Sequence, residues 1–80
     1  MISKEIFSNL VYRISDMLFC GFDDTTILNI LGPIKENKEF LLYFKAALNI
    51  AKSDNRRQQI DVLYSEMDIK KELEELYGKN

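Results

Sequence analysis

The chain has 80 residues, of which 46% are hydrophobic and 30% charged, with a net charge of −2, one cysteine and no histidine. That length makes one domain at the small end of the range, where folding buries only about 60% of the unfolded surface. A single cysteine excludes an internal disulfide, and with no histidine a zinc cluster is out of reach, so helix packing or a partner must supply the stability.

Charge is distributed unevenly. Residues 1–22 balance, residues 38–57 set five cations against two anions, and residues 58–80 set six anions against three cations. Three glycines and one proline, among many Ala, Leu, Lys and Glu, favour helices over a sheet. The expected fold is all-α: a small single-domain bundle of four to five helices over residues 1–80, around a buried central helix at about 38–52.

Ser3 is placed to cap a first helix running to about residue 20, with Glu5 in its first turn. Ile6, Phe7, Leu10, Val11, Ile14, Met17 and Leu18 recur at spacings of three and four, which makes one amphipathic face. Gly21 should end this helix in the left-handed conformation, with Phe22 folding back in a Schellman cap. Cys20 then reads as a small apolar residue beside the core, without a base to activate it as a nucleophile.

Asp23 or Asp24 caps a short second helix to about residue 31, carrying Ile27, Leu28, Ile30 and Leu31, and Gly32-Pro33 stops it. Two turns of helix do not stand alone in water, so this element requires a docked apolar face.

Asn37 caps the central helix, about residues 38–53. Between Phe40 and Ala51 only Lys45 and Asn49 are strongly polar, and with Lys38 and Lys52 they form a strip about 60° wide on the helical wheel. A helix apolar nearly all round is covered on several sides. Its expected core residues are Phe40, Leu41, Tyr43, Phe44, Ala47, Leu48 and Ile50, with the first helix as the largest neighbour; Lys45, on the wet strip, should be dispensable for stability. Leu42 falls near the edge of the strip, so it is either covered by a neighbour or exposed at a contact surface.

Ser53 to Arg57 is a polar turn without Gly or Pro. Beyond it, Ile60, Leu63, Tyr64 and Met67 form one stripe and Ile69, Leu73, Leu76 and Tyr77 another, rotated by about half a turn. One straight helix cannot turn both stripes to one core. Either the chain breaks at residues 65–68, with Asp68 capping a new helix and giving helices at about 55–66 and 68–77, or one continuous helix buries one stripe and offers the other to a partner, leaving Asp68 and Lys71 exposed; the cap at Asp68 favours the break. Glu72, Glu74 and Glu75 crowd the C-terminal half of the last helix, against its dipole. A short helix of that kind needs a groove, in its own bundle or in another protein, which makes Ile69, Leu73, Leu76, Tyr77 and Leu42 candidate partner contacts.

Catalysis needs a nucleophile beside a base, carboxylates in unlike environments, or a metal cluster. Here the acids fall at caps or on wet faces and the glycines are isolated helix stops, so no enzyme, cofactor or metal is expected. The longest apolar run, Phe40 to Phe44, is far short of the roughly 20 residues of a membrane span, and the N-terminal apolar residues alternate with charge, unlike a signal peptide. A cytoplasmic location is expected. Richness in Ile, Lys and Asn points to an AT-rich bacterial or phage source.

Gly21-Phe22-Asp23-Asp24-Thr25-Thr26-Ile27-Leu28-Asn29-Ile30-Leu31-Gly32, followed by a connector and another helix, resembles the rhythm of a helix-turn-helix motif, which would imply nucleic-acid binding. It departs from that pattern at Leu28, where such motifs carry a small residue, and at the following helix, which has few polar side chains for reading base edges. The strip Lys38, Lys45 and Lys52, continued by Arg56 and Arg57, could track phosphates or an acidic protein surface, pair with the acidic tail, or simply be a solvated face. Three functions follow: a small intracellular regulator or adaptor that binds another protein, a helix-turn-helix-like DNA binder, or a structural homodimer.

Overall fold

The computed structural model describes residues 2–31, 37–65 and 69–78, the last stretch without the side chains of Ile69, Lys70 and Glu72. Five helices, α1 (Lys4–Phe19), α2 (Asp24–Ile30), α3 (Lys38–Ala51), α4 (Arg56–Ser65) and α5 (Ile69–Tyr77), make an all-α bundle with no strand among the described residues.

Each of the first three helices starts on the side chain expected of it. Ser3 Oγ accepts from the Ile6 N–H at 3.2 Å, Asp23 Oδ1 from Thr26 at 2.8 Å, and Asn37 Oδ1 from Phe40 at 3.1 Å. These oxygens satisfy amide groups that have no partner inside the helix. At the end of α1, Gly21 adopts φ 95°, its N–H bonds to the Leu18 carbonyl at 3.0 Å, and the Phe22 N–H reaches the Met17 carbonyl at 3.1 Å. That pair of bonds is the Schellman motif, and the positive φ is why Gly stands there.

α3 ends without Gly or Pro because side chains take over its last carbonyls. Ser53 Oγ donates to the Ile50 oxygen at 2.7 Å, and Arg56 Nε donates to the Ala51 oxygen at 3.0 Å. Competition from such short-range bonds ends a helix as effectively as a breaker residue.

α3 is the centre: it packs against α1, its largest neighbour, and against α4 and α5, while α1 also meets α4. Tyr43, Phe44, Ala46, Ala47, Ile50 and Ala51 of α3 are buried, with Phe7, Val11 and Ile14 of α1, Ile27 of α2, Ile60 and Leu63 of α4, and Leu73 of α5. Small residues on α3 let neighbouring backbones approach closely, and the Phe7 ring fills the space between Tyr43 and Tyr64, with centroids 6.1 Å and 5.5 Å away. Leu41 and Leu48, expected in the core, are half-buried at its margin, Phe40 is half-buried, and Ile6 is more than half exposed, at the edge of the α1 stripe.

The out-of-phase stripes of the last quarter fall on two helices. α4 ends at Ser65 and α5 begins at Ile69, so Leu73 reaches the same core as Leu63. The caps considered at Asp68, and Met67 of the α4 stripe, lie outside the described residues.

Candidate functional site

The basic strip is divided among internal contacts. Lys45 Nζ donates to the Tyr77 carbonyl oxygen at 3.4 Å, and Asn49 Nδ2 to the Tyr77 hydroxyl at 3.2 Å, so α5 lies across the polar strip of α3. Lys52 pairs with Asp24 at 2.9 Å, tying α3 to α2, and Arg56 caps the end of α3. Lys38 and Arg57 are exposed, on α3 and α4 respectively. Three of the five residues are therefore engaged within the bundle.

The proposed contact residues also separate. Leu73 is 0% exposed and belongs to the core, Leu42 is half-buried against that core, and Tyr77 is half-buried over Asn49. The groove that α5 needs is thus its own bundle's, and Leu42 is covered by a neighbour. Leu76 is 60% exposed, and the side chain of Ile69 lies outside the described residues.

Leu76 forms one wall of a groove between α4 and α5 with a volume of about 260 Å³. Ala46, Ile50 and Leu63 lie at its base on α3 and α4, Val62 is the opposite wall at 57% exposure, and Asn55, Gln58, Gln59 and Tyr77 complete the lining. None of these residues is charged, in a chain whose residues are 30% charged. The Gln59 amide donates to the Asn55 side-chain oxygen, which holds the polar end in place. The volume falls just below the ~300 Å³ at which small-molecule pockets begin, and suits apolar side chains better than a whole ligand.

No family model matches the chain, and neither a curated protein nor a solved structure matches it.

A wider hollow of about 640 Å³ runs along the outer face of α1, past Ile6, Tyr12, Arg13 and Asp16, to Leu31 and Phe40. Those last two bracket residues 32–36, outside the described set. At the corner between α1 and α2, Phe19 stands 93% exposed, and Phe22 and Ile30 are partly exposed.

The titratable groups that depart from ordinary values lie away from the groove. The hydrogen bonds from Thr26 hold the Asp23 carboxyl below its usual value. Burial, and secondarily the Glu39 carboxylate, push the Tyr43 hydroxyl up; the Ile2 backbone opposes this slightly, although the hydroxyl makes no hydrogen bond among the described residues. Burial raises Tyr64 further, with Tyr43 a smaller cause, and its hydroxyl donates to the Ile2 carbonyl at 3.0 Å. These are features of a packed interior, and they pin the N-terminal segment to α4. Among the described residues no three His, Cys, Asp or Glu side chains are placed to hold a metal ion, and no helix is long and apolar enough to cross a membrane.

Cys20 is exposed, contrary to its expected place beside the core. It is the C-cap of α1, and the turn through Gly21 carries the chain off the helix before the side chain meets a neighbour.

Sequence reasoning missed the groove. The available signal was Val62, an apolar residue out of phase with Ile60, Leu63 and Tyr64 on the same helix. Asn55, Gln58 and Gln59 read only as turn and surface residues, because amides without charge leave no pattern in one sequence.

Proposed function

We propose that the chain is a small cytoplasmic regulator or adaptor, of bacterial or phage origin and without catalytic activity, that binds protein by taking apolar side chains in the groove between α4 and α5. The observation that carries this reading is the pair Val62 and Leu76, both more than half exposed across a hollow that has no charged residue among the described residues of its lining. Exposed apolar walls around a concave base gain most from a partner, since covering a large aliphatic side chain is worth about 1.5–3 kcal/mol.

The DNA-binding alternative has less support. A recognition helix must lie in the major groove, but the helix that would serve here is α3, whose apolar faces are buried and whose polar strip is engaged by α5 and α2.

Photo-crosslinking amino acids at position 62 or 76, compared with one at exposed Lys38, test the proposal in expressing cells. Protein adducts at the groove positions and not at position 38 are expected. Equal labelling at all three, or none at the groove, would overturn it. A DNA affinity that falls steeply with salt would favour the alternative instead.

A further inference from the structure

Lys45, Ala46, Asn49 and Ile50 stand at positions i, i+1, i+4 and i+5 of α3, so they form one patch on its surface. Tyr77 lies over that patch. Its carbonyl oxygen accepts from the Lys45 ammonium at 3.4 Å, its hydroxyl accepts from the Asn49 amide at 3.2 Å, and with Leu76 it lines the groove whose base includes Ala46 and Ile50. Those two base residues are only 1% and 5% exposed, so the groove offers little of its own floor while Tyr77 is in place.

The turn that carries Tyr77 is weakly held. Both bonds lie at or beyond the long end of the usual range, and the Asn49 contact is exposed, where water competes. No basic residue stands in the last turn of α5, and Glu74 and Glu75 oppose its dipole, so the cation from α3 is what offsets them. The residue just before this turn is anchored, because Leu73 is fully buried in the core. A helix end with a firm anchor on one side and loose ties on the other opens locally at a lower cost than the whole bundle unfolds.

We infer that the last turn of α5, Glu74 to Tyr77, is a latch on the groove: it lifts from α3 while Leu73 stays in the core, and lifting adds Ala46 and Ile50 to the surface open to a partner. The inference rests on the groove reading above and names how that site is regulated. A partner whose apolar side chains reach the floor makes contacts in the lifted state that the closed state withholds, and by that difference it draws the lifted state up from a minor population. Tyr77 is the catch, and Lys45 sets its strength.

The experiment is thiol labelling of the full chain in a Cys20→Ala background. Ala46→Cys reports the floor and Ala47→Cys reports the core, since Ala47 is 0% exposed and is not among the described residues that line the groove. Ile50→Cys replaces Ala46→Cys should that variant fail to fold. Position 46 should label faster than position 47. Low urea should barely change its rate, because lifting one turn exposes little surface, while the rate at position 47 should climb with urea. Tyr77→Phe and Lys45→Met, each removing one bond of the catch, should speed labelling at position 46 about 5-fold, and Lys38→Met should not.

Equal rates at positions 46 and 47 with the same urea dependence would overturn the inference, because the floor then opens only as the bundle unfolds. So would a rate at position 46 that matches the unfolded chain, which means no latch covers it, or catch variants that label as their parent does. None of these results touches crosslinking at position 62, which tests the groove reading separately.

Discussion

The ammonium group of Lys45 lies 3.4 Å from the carbonyl oxygen of Tyr77, in the last turn of α5. A half-buried cation from the central helix thus faces the negative end of a helix that has Glu74 and Glu75 near its own C-terminus. The favourable charge absent from the last turn of α5 comes from α3, across the bundle. Lys45 is accordingly not the dispensable surface residue its place on the wet strip predicts. Lys45→Ala should cost about 1 kcal/mol, from the lost bond and the lost dipole interaction. In urea melts its cost should exceed that of Lys38→Ala; equal values would show that the contact contributes nothing.

Leu73 ties α5 to the rest of the molecule. It is fully buried, so removing residues 69–80 opens the core rather than trimming an appendage. The truncated chain should lose its cooperative thermal transition by circular dichroism. Leu73→Ala, the milder change, should cost about 2–5 kcal/mol. A truncation that melts like the full chain would place the stability of the bundle entirely in α1 to α4.

Phe7 and Phe44 test the centre of the bundle. Both are buried in the packed cluster, and truncating either to Ala should cost about 3–5 kcal/mol. A small domain has about 5–15 kcal/mol in total, so either variant should be partly unfolded at growth temperature. Thermal melts of these variants alongside Ile6→Ala, at an exposed position, would read the difference; similar midpoints would refute the core assignment.

Tyr43 and Tyr64 make the fold sensitive to alkali. Both hydroxyls are held above their ordinary value of about 10, so the native state keeps protons that the unfolded chain releases. Their contribution is fully present below about pH 10 and is lost as pH rises above it, in the direction of unfolding. An ultraviolet phenolate titration should show two of the four tyrosines ionising only with loss of the circular dichroism signal. Phenylalanine at both positions should move that unfolding to higher pH, while four tyrosines ionising in the folded state would contradict the burial seen here.

Cys20 should react with a thiol reagent in the folded protein as fast as in urea, because its side chain is exposed. Cys20→Ala should leave the stability within about 0.5 kcal/mol of the wild type, read from urea melts. Protection that disappears only on unfolding would return Cys20 to the core.

The sequence alone determined the starts of the first three helices, because those depend on neighbours a few residues apart. Ser3, Asp23 and Asn37 each meet an amide three positions on, and Gly21 needs only its own backbone to turn left-handed. The apolar surplus of residues 40–51 likewise marks α3 as central, since no other arrangement covers so many faces of one helix. What the tertiary structure decided is the fate of the polar and the second-row apolar residues. Whether Lys45, Asn49 and Lys52 are a binding strip or internal ties depends on where Tyr77 and Asp24, 28 to 32 residues away in the chain, come to rest. The groove arises in the same way: Val62 and Leu76 are isolated apolar residues in the sequence, and they become opposite walls only when α4 and α5 settle side by side on α3. Periodicity reports which face of a helix is buried, but the space left between two faces is a property of their packing.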